Sequence, residues 1–181
     1  MIICAGNNET FDFAHPTGVG LIETAMNLTR LCLFDKPEFL LFVGTAGSYG
    51  DYGILDIVES KTAANIELAF LEKKAYTPID NVVSAQTEQR PDVIVNSSNY
   101  ISTDAELCRR FLKLGVAIEN MEFFSVVRVA REFDIPAGGI FCVTNYCDAN
   151  AHADFAKNHA AAKEKLETYV RQRIREELAH V

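Results

Sequence analysis

The 181-residue chain has no apolar run approaching the roughly 18 residues needed to span a bilayer. It has no basic stripe either, since 17 Lys and Arg face 25 Asp and Glu, a formal net charge of -8. Nothing therefore offsets the phosphates of a nucleic acid or the charge of an anionic membrane, and both partner classes are disfavoured. No CxxC pair occurs among Cys4, Cys32, Cys108, Cys142 and Cys147. Their number is odd and most sit in apolar runs, so buried reduced thiols are expected rather than a disulfide or metal framework. His15, His152, His159 and His180 form no pair with ligand spacing beside a third ligand, so no metal is expected. No linker, repeat or low-complexity tract interrupts the chain. The apolar start, Met1 to Gly6, lacks a positive flank and reaches Asn7 and Asn8 too soon for a signal peptide. It reads as a strand, and the protein as cytoplasmic.

What is present is an ordinary globular composition, 49% hydrophobic and 23% charged, with enough length for one domain. Strand-like and helix-like patterns alternate, which favours an α/β fold. Short strands are expected at Met1 to Cys4, Phe11 to Ala14, Phe39 to Val43, Leu55 to Glu59, Asp92 to Asn96, Val116 to Ile118 and Gly138 to Val143. The spacing predicts a helix over Val19 to Phe34, with Ile22, Ala25, Met26, Thr29 and Leu33 on its packed face, ended by Asp35-Lys36-Pro37. Further helices are expected over Ala63 to Lys73, from Ser102-Thr103-Asp104 to Leu114, over Glu122 to Phe133, and from His152 to the C-terminus. The expected architecture is a single three-layer domain over residues 1–181, with a mixed, mainly parallel central sheet.

Seven segments, taken in order, carry a resemblance. Gly18-Val19-Gly20 opens the first helix. Lys36-Pro37-Glu38 leads into the strand ending in Gly44-Thr45-Ala46-Gly47, read as a turn. Leu55-Asp56-Ile57-Val58, Ser97 to Ile101, Asn120-Met121-Glu122 and Val143-Thr144-Asn145 follow. Each motif is weak alone, but together they resemble the nucleoside phosphorylase/nucleosidase superfamily, which includes purine nucleoside phosphorylases and methylthioadenosine/S-adenosylhomocysteine nucleosidases. The resemblance runs from about Thr17 onward. Residues 1 to 16 fit poorly and read as a shortened N-terminal section.

The resemblance implies cleavage of the N-glycosidic bond of a purine nucleoside. That reaction builds positive charge on the ribose and negative charge on the departing base. Glu122 would accept hydrogen bonds from ribose hydroxyls, with Met121 under the sugar. Tyr100 would stack on the base, and the backbone of Ile101 would bond its edge. The family usually places Asp where Asn145 stands. Asn145 cannot give up a proton, but it offers a donor and an acceptor side by side. That pair suits a 6-oxopurine, and trimeric phosphorylases and futalosine hydrolases similarly carry Asn. Asp148 is the nearest alternative acid.

Phosphorolysis would need backbone N–H groups, from Gly18, Gly20, Gly44 and Thr45, plus arginine. Related hexameric phosphorylases place that arginine where this chain has Phe42. Arg30 and Arg90 are not obvious substitutes. Hydrolysis is therefore slightly favoured, with phosphate as an optional co-substrate and no metal or organic cofactor. A carboxylate from the N-terminal section would activate water, and Glu9 is the candidate, with Asp12 nearby. The alternative is a catalytically weak purine-binding protein on the same fold. The resemblance also implies a homodimer or higher homo-oligomer, with Phe123, Phe124 and the segment 62–75 as interface candidates.

Overall fold

The computed structural model describes residues 1–85 and 92–179. Its centre is β3 (Leu40–Ser48) and β9 (Ala137–Tyr146), paired in parallel along their whole length. Both are strands buried on two faces, which is why they read as nearly continuous apolar runs. Side chains alternate across the sheet. Phe42, Phe141 and Val143 enter one core with Leu28, Leu31, Val126 and Ala130. Val43, Ile140 and Cys142 enter another with Ala162, Leu166 and Val170. Helices α1 (Leu21–Asp35) and α4 (Phe123–Glu132) thus cover one face, and α5 (Ala151–Ala179) covers the other. This is the expected three-layer α/β domain.

Among the described residues the sheet has nine strands. Besides β3 and β9 these are β1 (Ile2–Cys4), β2 (His15–Pro16), β4 (Ile57–Ser60), β5 (Thr62–Ala64), β6 (Val82–Ser84), β7 (Ile94–Ser97) and β8 (Val116–Asn120). Pairings β1–β2, β1–β3, β3–β9, β5–β7 and β7–β8 are parallel; β3–β8, β4–β9 and β5–β6 are antiparallel. β3 pairs with β1 at Leu41 and Phe42, then with β8 at Gly47 and Ser48. A register shift between Ala46 and Gly47 marks where it bends away. That divergence opens the sheet at the C-terminal end of β3. A third cluster, with Tyr49 and Phe111, packs α3 (Ala105–Lys113) against this end.

Several expectations are corrected. Gly44 to Gly47 is not a turn but the second half of β3. Phe11 to Ala14 is a turn, closed by Ala14 N–H to Phe11 O at 3.2 Å. Phe11 is apolar because it packs in the α5-side core and stacks on Phe13, not because it pairs in the sheet. Ala63 to Lys73 holds the end of β5 and only one helical turn, α2 (Leu68–Leu71). In α1 the packed face is Thr24, Leu28, Leu31 and Cys32. Ile22 and Met26 are 67% and 63% exposed, and Leu33 also faces solvent. Both faces carry apolar residues at helical spacing, so periodicity alone could not choose; packing against α4 does. Phe123 is fully buried between Phe42 and Phe141, which removes it as an interface residue.

All five cysteines are buried and free. The described residues contain no helix long and apolar enough to cross a membrane and no His/Cys/Asp/Glu group able to hold a metal.

Candidate active site

Where β3 passes from pairing with β1 to pairing with β8 lies a cavity of about 380 Å³. Glu9, Thr45, Tyr100, Ile101, Met121, Glu122 and Asn145 all line it. Residues from five separate parts of the chain therefore converge on one end of the sheet, a common place for a ligand in an α/β fold.

Glu122 lies two residues after β8 and immediately precedes α4. It is buried, yet three donors face it. Gly20 N–H donates to Oε1 at 2.9 Å, and Met121 N–H and Asn120 Nδ2 donate to Oε2 at 3.1 and 3.2 Å. Gly20 adopts φ 85°, where a side chain would be strained and where a Cβ would lie 2.9 Å from Asn99 Oδ1. Its conformation lets the backbone bring that N–H to Glu122. Asn120 is itself fixed, accepting from Ser97 Oγ at 2.8 Å and Phe123 N–H at 3.2 Å. Burial raises the Glu122 carboxyl from 4.5 to about 7; the Gly20 and Met121 amides oppose the rise and the nearby Glu9 charge adds to it.

Glu9 comes from the loop after β1. Its carboxylate accepts from Thr45 N–H at 3.1 Å and from the Thr45 hydroxyl. A Cβ on Gly44 would lie 2.9 Å from Glu9 Oε2, so glycine is needed for the close approach. The contribution of Gly44 is this space. Asp12 does not reach the site: Arg171 of α5 holds both its oxygens, at 2.6 and 2.7 Å.

Asn145 lies near the end of β9. Its Oδ1 accepts from Thr144 Oγ1 at 2.8 Å and its Nδ2 donates to Tyr146 O at 3.0 Å. One N–H and one lone pair remain for a ligand. Asp148 instead accepts from Asn150 N–H at 2.7 Å ahead of α5 and lies outside the cavity wall. Tyr100 and Ile101 form the open rim, 81% and 57% exposed.

The candidate anion donors have partners within the protein. Gly18 and Gly20 do not line the cavity. Gly18 N–H is bonded to Ala5 O at 2.9 Å, Val19 N–H faces Glu23 Oε2 at 3.3 Å, and Gly20 N–H serves Glu122. Thr45 gives both its donors to Glu9. Phe42 is core, and Arg30 is exposed on α1. Arg90 lies outside the described residues.

Wall residues to which the sequence reading gave no role include Glu119, His152 and Phe155. Glu119 had a signal, a charge directly after the apolar run Val116 to Ile118. His152 and Phe155 had none beyond sharing a face at i, i+3 at the start of α5.

The profile of the Phosphorylase superfamily matches residues 13–175. The chain belongs to this superfamily. No curated protein sequence matches it. Solved structures of similar fold include the D198N mutant of Helicobacter pylori MTAN with 5'-methylthioadenosine in its active site. That structure has a TM-score of 0.80 and 14% identity over 97% of both chains. Native futalosine hydrolase of the same organism has a TM-score of 0.78 at 14% identity, covering 97% of this chain and 96% of its own. The S. pneumoniae 5'-methylthioadenosine/S-adenosylhomocysteine nucleosidase with a transition-state inhibitor has a TM-score of 0.73 at 12% identity, covering 93% and 95%. At such identities the likeness shows the fold alone. Substrate and nucleophile must be argued from the cavity.

Proposed function

We propose that this chain is a nucleosidase that hydrolyses the N-glycosidic bond of a 6-oxopurine nucleoside. The observation that carries this reading is the pair of carboxylates, Glu9 and Glu122, in one cavity whose candidate phosphate-binding N–H groups already serve carboxylates or carbonyls. A phosphate dianion would meet negative charge and find few free donors. Water fits such a site, and a carboxylate can take its proton.

In this reading Glu122 grips the ribose hydroxyls and gains strength as the ring becomes cationic. Water adds to C1′ as Glu9 accepts its proton. The C1′–N9 bond breaks with its electron pair passing to the base. The base takes a proton from solvent at N7, and the free lone pair of Asn145 Oδ1 accepts that N–H while Nδ2 donates to O6. Tyr100 and Ile101 cover the base.

The test is base release from inosine and adenosine, with and without phosphate. Hypoxanthine is expected to appear at equal rates in both conditions, faster than adenine. Asn145→Asp is expected to raise the adenine-to-hypoxanthine ratio about tenfold, because Asp can protonate N7 and no longer donates to O6. Strict dependence on phosphate would overturn hydrolysis. Purine binding with no turnover would make the chain a binding protein on the same fold.

We further propose that the chain works as a homo-oligomer. The apolar face of α1 left open by Ile22 and Met26 adjoins the cavity rim, since Leu21 N–H bonds Asn99 Oδ1 at 2.9 Å. A second copy seated there would bury an apolar patch and cover the exposed Tyr100. Sedimentation is expected to show at least a dimer for the native chain and monomer for Ile22→Asp/Met26→Asp. An unaltered assembly in that variant would move the interface elsewhere.

A further inference from the structure

Glu119 is a buried carboxylate in β8, in a position where its neighbours Ala117 and Ile118 are apolar and buried. A charge in such a place is costly unless donors surround it. Here they do. Tyr49 OH and Ser102 Oγ donate to Oε2, both at 2.7 Å, and Ser102 N–H donates to Oε1 at 2.8 Å. Tyr49 is locked by stacking on Phe111, with ring centroids 4.3 Å apart, and its phenol is pushed well above its ordinary pKa by burial and by Glu119, so it remains a donor.

Two of these three bonds go to one residue, Ser102, which ends the segment carrying Tyr100 and Ile101. Those two side chains are mostly exposed, so little packing holds them. The start of the segment is tied by Ser98 N–H to Asn120 O at 3.3 Å and by Leu21 N–H to Asn99 Oδ1 at 2.9 Å. Its far end is tied to the sheet through Glu119. The site is also close to Asn145: a Cβ on Gly47 would lie 3.1 Å from Asn145 Nδ2 and 3.5 Å from Glu119 Cγ.

We propose that Glu119 is a positioning residue whose buried carboxylate latches Ser102 and so holds Tyr100 and Ile101 over the base end of the cavity. This rests on the nucleosidase reading above. Glu119 touches no reacting bond in it. Its effect is on how well the base is gripped, and hence on KM rather than kcat.

The test uses Glu119→Gln and the milder Ser102→Ala in the full chain, with two readouts. The first is hydrogen exchange of the 99–102 amides. Exchange there is expected to quicken about tenfold in Glu119→Gln while β7 and β8 amides keep their protection. The second is hypoxanthine release from inosine. KM is expected to rise about tenfold in Glu119→Gln and less in Ser102→Ala, with kcat changing less than about twofold. Unchanged exchange at 99–102 overturns the latch. Quickened exchange with an unchanged KM overturns its link to base binding, as does a fall in kcat with KM intact. If the native chain neither releases nor binds a purine, the nucleosidase reading fails, and the exchange data alone still decide the latch.

Discussion

Glu9→Gln is expected to lower base release by about 10²–10⁴-fold while leaving nucleoside binding within a few-fold of native, the effect of removing a general base. The substitution is nearly isosteric. A glutamine oxygen can still accept from Thr45 N–H, as Glu9 Oε2 does at 3.1 Å, so the loop after β1 keeps its anchor. What is lost is the proton acceptor and one negative charge in the cavity. Steady-state hypoxanthine release and calorimetric binding of inosine to the same preparations check this. Activity within a factor of two of native would assign the base elsewhere. Asp12→Asn is the matched control and is expected to be silent in catalysis, because Asp12 is spent on Arg171 at the protein surface.

Glu122→Ala is expected to cost about 10²–10³-fold in kcat/KM, the usual loss when one aligned electrostatic contact to developing charge is removed. Glu122 also sets a pH dependence. Its carboxyl titrates at about 7 because burial disfavours the charge. If the ionised form grips the ribose, kcat/KM rises as pH increases through about 7, and Glu122→Gln removes that limb. Stability runs the other way. The folded pKa lies above the ordinary 4.5, so between those values the folded chain holds a proton the unfolded chain has lost. Stability therefore falls as pH rises from 4.5 toward 7, by at most about 3 kcal/mol from this group. Urea unfolding at pH 5 and pH 8 should show that decline in the native chain and little of it in Glu122→Gln. A native chain whose stability and kcat/KM are flat across this window would sink the raised pKa.

Much of the architecture was legible because the chain is locally consistent. The central strands announced themselves as apolar runs between turn signals, and Asp104 caps α3 by accepting from Glu106 and Leu107 N–H at 2.8 and 3.1 Å, close to where the Ser102-Thr103-Asp104 signal put a helix start. The misreadings have separate causes. Gly44 to Gly47 looked like a turn because small residues usually mark one; here a Cβ on Gly44 would meet Glu9 Oε2 at 2.9 Å and one on Gly47 would meet Cys147 Sγ at 2.7 Å. The packed face of α1 was misassigned because two apolar stripes fit the same helical period.

By itself the sequence determined the α/β alternation, the order of the seven segments, and the residue types that can serve ribose, base and water. These follow from local pattern and chemistry, which a linear chain carries. Only the tertiary structure decided that Glu9 rather than Asp12 enters the cavity, that the N–H groups of Gly18, Gly20 and Thr45 meet carbonyls and carboxylates of distant segments, and that Glu119 ties Ser102 to the sheet. Each of these depends on contacts between separate segments, such as Gly20 to Glu122, 102 residues apart, and Ser102 to Glu119, 17 residues apart. Local propensity does not encode such distances; the divergence of β3 from β1 toward β8 does.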